Sequence, residues 1–251
     1  MRYFFILATI ILFTSCQEEK DQISAEEIIN KTIANAGGEN YKNATIEFKF
    51  RGNNYKSVRN GGEFVLEREI IDSLGVDTIR DIVSNTGYKR FLNDSLITVP
   101  DSMAVRYTGS INSVHYFAHL PYGLNDKAVN KKLVGDAEIN GSPYYQLKVT
   151  FSQEDGGTDH HDEFLYWINK ETYTIDYLAY KFHVNEGGLR FREAFNPRMI
   201  EGIRFVDYKN YSQKDYNEDL CQLDELFQKN KLELLSTIET EDVKVQLNKS
   251  K

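Results

Sequence analysis

The sequence predicts a mainly β, α+β fold in which an N-terminal helix precedes a long antiparallel meander with short helical insertions, forming one domain over residues 24–251. Three observations predict it. An apolar stripe at helical spacing follows Ser24. From about Ala44 to Tyr211 the apolar period changes to two. Gly- and Asn-rich turn sequences then recur at short intervals. The chain has 251 residues, 41% hydrophobic and 13% aromatic, enough to build a core.

The elements follow in order. Ser24 can cap a helix, and Glu27 lies three residues on, at capping-box spacing. Ile28, Ile29, Ile33 and Ala36 share one face, and Gly37-Gly38 stops the helix. Ile46, Phe48 and Phe50 then alternate with Glu47, Lys49 and Arg51. Phe64, Leu66 and Ile70 share one side of the next strand, with Arg68 intruding. Tyr145, Leu147, Val149 and Phe151 alternate with polar residues, as do Leu178, Tyr180 and Phe182, while Phe191 stands between Arg190 and Arg192. One wet and one dry face marks antiparallel strands. Turns are expected at 59–62, 139–142, 154–157, 169–172, 185–188 and 196–198. Residues Asn112 to Leu120 read as a short helix, as do 217–230 with Leu220, Leu223, Leu226 and Phe227. Residues 232–247 read as a final strand region.

The N-terminus has its own pattern. Arg2 precedes an apolar run from Phe4 to Phe13, and Phe13-Thr14-Ser15 leads into Cys16. This is the composition of a signal peptide over residues 1–15, too short to span a bilayer. The cysteine at the cut resembles the lipobox of bacterial lipoproteins, with Phe13 where Leu is usual. The resemblance implies that Cys16 carries a diacylglycerol; the alternative is an ordinary signal peptide with an incidental cysteine. Residues 16–23 read as a tether. Its Gln17-Glu18-Glu19-Lys20-Asp21 resembles the acidic export signal of Bacteroidota surface lipoproteins. The expected location is therefore the outer membrane, lipid-anchored, facing either the surface or the periplasm.

Charge and cysteine content exclude several classes. With 30 basic and 38 acidic residues the net charge is −8, which disfavours nucleic acid as a partner. With Cys16 committed to lipid, Cys221 is left alone, so neither an intramolecular disulfide nor a cysteine zinc site is expected.

The order of the helix, the Ala44–Arg51 strand, the Gly-Ser-Pro-Tyr-Tyr-Gln-Leu-Lys-Val block and the run from Glu163 to Ala179 resembles the lipoprotein-carrier half-barrels of the LolA/LolB type. That resemblance implies a curved antiparallel sheet wrapped around a helix, with an apolar cavity for acyl chains. Tyr166-Trp167-Ile168-Asn169-Lys170, Tyr177-Leu178-Ala179-Tyr180, Arg190-Phe191-Arg192-Glu193 and Gly202-Ile203-Arg204-Phe205-Val206-Asp207-Tyr208 resemble an uncharacterised family of Bacteroidota envelope lipoproteins. It implies no activity.

Candidate chemistry is sparse. Asp159-His160-His161-Asp162 carries metal-ligating side chains, but neighbours on a strand point to opposite faces. His115 and His119 would share one helix face, without the glutamate of a metalloprotease helix. Arg190 and Arg192 could pair with Asp207 or grip a carboxylate or phosphate headgroup. No nucleophile elbow, phosphate loop or dinucleotide fingerprint is present. The reading is a non-catalytic protein, without cofactor or metal, that binds or carries a lipid or other apolar ligand. Phe48, Phe50, Phe117, Tyr122, Tyr145 and Phe191 are the expected ligand-binding residues. An envelope protein-interaction module is the alternative, and a metal-dependent hydrolase a more distant one.

Overall fold

The computed structural model describes residues 23–72, 74–152, 161–182, 187–213 and 218–248. Ser24 Oγ accepts the Glu27 N–H at 3.1 Å and starts helix α1 (Ala25–Asn35), whose first turn carries Glu26 and Glu27 against the helix dipole. Ile28 and Ile29 are fully buried. Gly37 follows with φ +127°, and a Cβ there would lie 2.9 Å from the Gly202 carbonyl oxygen. Only glycine lets the helix exit press this closely on the turn before Ile203.

The alternating region folds into two sheets, every neighbouring pair antiparallel. The first contains β1 (Ala44–Phe50), β2 (Asn53–Asn60), β3 (Glu63–Ile71), β4 (Thr78–Ser84), β5 (Gly87–Leu92) and β6 (Ser95–Ile97). After helix α2 (Asp101–Ala118) the second contains β7 (Val129–Ile139), β8 (Ser142–Phe151), β9 (Glu163–Asn169), β10 (Ile175–Phe182), β11 (Gly188–Ile200) and β12 (Ile203–Gln213). A 3-10 turn and helix α3 (Leu223–Gln228) lead into β13 (Glu233–Ile238) and β14 (Glu241–Leu247). The sheet orders are β14-β1-β2-β3-β4-β5-β6 and β13-β12-β11-β10-β9-β8-β7, and neither sheet closes on itself. The fold is mainly β, as expected, but the meander is split in two.

The two sheets are buried differently. Tyr166, Ile168 and Leu178 face α1, while Leu165, Trp167, Ala179 and Phe191 face Leu223 and Phe227 of α3. The second sheet is thus covered on both faces, and its central strands read as nearly unbroken apolar runs. β5 and β6 at the far end of the first sheet have no fully buried residue.

Three local expectations need correction. The helix expected over Asn112 to Leu120 has 18 residues and begins at Asp101. It packs against both sheets, so its apolar positions form no single stripe. The turn expected at 196–198 is instead a β-bulge between Phe195 and Arg198, where proline is tolerated because the ladder is already interrupted. The final strand region is two strands, one in each sheet.

That last crossover is fastened by Asp207. Its buried carboxylate accepts hydrogen bonds from Asn196 Nδ2 (2.7 Å), Arg198 Nη2 (3.1 Å) and the Thr240 backbone N–H (3.0 Å). Arg198 Nη2 also donates to the Thr240 carbonyl at 2.7 Å. Arg198 therefore takes the role expected of Arg190 or Arg192, because the bulge shifts the register of β11 against β12. Asp207→Ala should lower unfolding free energy by about 3 kcal/mol, since it strands a half-buried guanidinium and a backbone donor. Urea denaturation measures this; a loss below about 1 kcal/mol would mean that the crossover is held by packing alone.

Candidate functional site

Helix α2 runs between the sheets. Ile111 packs with Leu66 and Val83 of the first sheet, and Val114 and Ala118 pack beside Phe48 and Tyr55. On its other side Tyr116 and Phe117 meet the second sheet, where the Tyr116 and Tyr166 hydroxyls hydrogen-bond. Because α2 does not fill the space where β1–β3 approach β11–β13, a cavity of about 430 Å³ remains.

Its walls come from three places. Phe50, Tyr55 and Arg68 stand on the first sheet. Ser110, Ser113, Val114, Phe117 and Ala118 stand on α2. Arg192, Val206, Tyr208, Asn210, Ile238 and Thr240 complete it from β11, β12 and the β13–β14 crossover. The rim is wet, with Arg51, Ser110 and Ser113 exposed, whereas Tyr55, Arg68, Arg192, Tyr208 and Asn210 are buried. Among the described residues no Asp or Glu lines the cavity, although acids outnumber bases in the chain.

The two buried arginines are in different states. Arg68 Nη2 lies 2.7 Å from Asp81 Oδ2, and Asp81 also accepts from Arg90 Nε at 2.6 Å. Burial pushes the Asp81 carboxyl up, but hydrogen bonds from Arg90, Tyr88 and Arg68 outweigh it and hold the group below its ordinary range. Arg192 has no carboxylate partner among the described residues. Its guanidinium lies 3.8 Å from the Phe117 ring centre, Nη2 donates to the Tyr180 hydroxyl at 2.9 Å, and Nε is buried without a partner. The directly opposed residue on β12 is Asn210, whose Oδ1 is also partnerless.

The structure brings only some of the expected residues together. Phe50 and Phe117 line the cavity. Phe48 is buried beside it, stacked on Tyr55 with centroids 5.4 Å apart. Tyr122 stacks on Tyr41 under Arg59. Tyr145 packs near Tyr173, away from the cavity, and Phe191 lies on the α3 face of the second sheet. Arg68, Tyr208 and Asn210 were not anticipated. Cys16 and His160 lie outside the described residues.

A family model described as "Family of unknown function (DUF6503)" matches residues 1–240. No curated protein matches the sequence. Among solved structures, a LolA superfamily protein from Nitrosomonas europaea is similar at 13% identity and a TM-score of 0.49, with 89% of this chain and 94% of that chain covered. A DUF1329 family protein from Desulfovibrio piger is similar at 9% identity and a TM-score of 0.41, covering 89% and 93%. Among the described residues no helix is long and apolar enough to cross a membrane.

His115 and His119 share the α2 face towards the first sheet, inside a box of Phe48, Tyr55 and Tyr41. Among the described residues only His115 Nε2 has a partner, the Glu67 carbonyl at 3.2 Å, and both nitrogens of His119 have none. Among the described residues no group of three or more His, Cys, Asp or Glu could hold a metal. Burial pushes His115 down to about 4 and His119 well below its ordinary value. In the unfolded chain each protonates near 6.5. Their contribution to stability is therefore complete above about pH 6.5 and is lost as pH falls towards 4. A His115→Phe/His119→Phe double variant should show a flatter fall in unfolding free energy between pH 6.5 and 4.5; an unchanged slope would assign the acid sensitivity to other groups.

Proposed function

The chain belongs to that family of unknown function, and on this premise we propose that it binds a lipid or other apolar molecule in the cavity between its two sheets. The observation that carries this reading is the cavity itself: about 430 Å³, walled by Phe50, Val114, Phe117, Val206 and Ile238, and open through a polar rim. Ligand sites have this size and this mix of apolar wall with a few convergent polar groups. Burying an alkyl chain supplies about 0.8 kcal/mol per methylene before ordering costs, so affinity needs no covalent chemistry. In the same reading, acyl chains on Cys16 hold the protein at the outer membrane. A protein-docking module is the second reading. It is favoured by the β3–β4 turn, where Leu74 and Val76 are 82% and 71% exposed.

Native mass spectrometry of protein purified without detergent tests the first reading. Wild type should carry an extractable lipid mass or take up a fluorescent fatty acid. Val114→Trp, which fills the cavity, should keep the far-UV spectrum and lose uptake. An empty wild type that takes up nothing, or undiminished uptake by Val114→Trp, would overturn the cavity reading and favour docking.

A further inference from the structure

We propose that the cavity selects a single-chain amphiphile with an anionic head, a carboxylate or phosphate monoester, and that Arg192 receives the head. This rests on the cavity reading above and adds the ligand's class to it.

A buried cation is costly unless paired: Arg68 and Arg90 share Asp81, and Arg198 holds Asp207, whereas Arg59 and Arg192 have no carboxylate partner among the described residues, and of these two only Arg192 lines the cavity. Arg192 is only 7% exposed and has aromatic neighbours instead. Phe117 and Tyr180 offset part of the desolvation through their ring faces, but they leave the Nε donor unpaired. Arg51 and Arg68 line the same space, and of these Arg68 is paired with Asp81, which it shares with Arg90 outside the cavity. The cavity is therefore a cationic pocket in an acidic protein. The unpaired Nε–H of a planar guanidinium suits a carboxylate or phosphate oxygen.

Size sets the tail. A cavity of about 430 Å³ lies towards the lower end of small-ligand sites, which suits one chain and its head.

Isothermal titration calorimetry with laurate, dodecyl phosphate, 1-dodecanol and inorganic phosphate tests the assignment. Laurate and dodecyl phosphate should bind at least about tenfold tighter than dodecanol, the gain expected of a charge-assisted hydrogen bond. Inorganic phosphate should not displace laurate at equal concentration. Arg192→Gln should bring laurate and dodecanol within about twofold of each other. Arg192→Lys should keep most of the preference. Arg190→Gln should keep all of it, because Arg190 Nη1 is spent on the Leu189 carbonyl. If Arg192→Gln does not fold, the wild-type ratio and its retention in Arg192→Lys decide. A wild-type ratio near one, a preference that survives Arg192→Gln, or displacement by phosphate alone overturns the proposal. If dodecanol binds as well as laurate, only the head assignment fails; if neither binds, the cavity reading fails and takes the assignment with it.

Discussion

The buried carboxylate of Asp207 joins the two halves of the molecule. It gathers donors from the β11 bulge and from Thr240, at the point where the chain leaves one sheet for the other. β13 stays beside β12 while β14 departs to pair with β1. The space between the sheets follows from that departure, since Ile238 and Thr240 on either side of the crossover form part of its wall. A carboxylate so fully paired fixes geometry more than it adds net stability.

The distribution of buried charge has a consistent logic. Asp81 and Asp207 sit where strands must be held in register, and each is matched by arginine, whereas Asp224 on α3 is buried without one. Asp81 ties β4 to β3 and β5 through Arg68 and Arg90, and the Arg90 guanidinium also lies 3.6 Å from the Tyr107 ring centre on α2. Arg59 and Arg192 have no carboxylate partner among the described residues, and Arg192 stands on a wall of the cavity. Exceptions to satisfied burial concentrate where a protein meets something else, and the orphaned Arg192 Nε and Asn210 Oδ1 stand together there.

The sequence disclosed the periodic parts well. Ser24, Glu27 and the Ile28–Ile29 pair specify α1, and strand alternation is clear wherever one face meets a core. Helix α2 was cut short because its N-terminal half has Pro100 without a side-chain cap, and because Ile111 and His115 serve one sheet while Tyr116 and Phe117 serve the other. The meander is split where α2 stands between β6 and β7, but the return of β14 to the first sheet has no local signature: it depends on a crossover of two residues, Glu239 and Thr240, in an otherwise strand-like segment. The cavity was partly legible. Aromatic content pointed towards it, yet aromatic side chains are as common in a packed core, and Phe191 and Tyr145 belong to packing elsewhere. The stronger signal was Arg68, a cation on the apolar side of its strand. Arg192 carried the same signal, masked because alternation alone does not say which face of a doubly covered sheet is hollow.

The pairing of β1 with β14 also bears on how the molecule is assembled in time. Ala44 finds its partner in Leu247, at the opposite end of the chain. A polypeptide emerging from its N-terminus presents β1 with one edge open until the closing strand arrives, whereas β2 to β6 can zip in order of appearance. Such long-range closure is slow and leaves an edge available to the wrong neighbour. The first sheet is thus the half whose completion waits on β14, and any factor that escorts the nascent protein would be needed there longest.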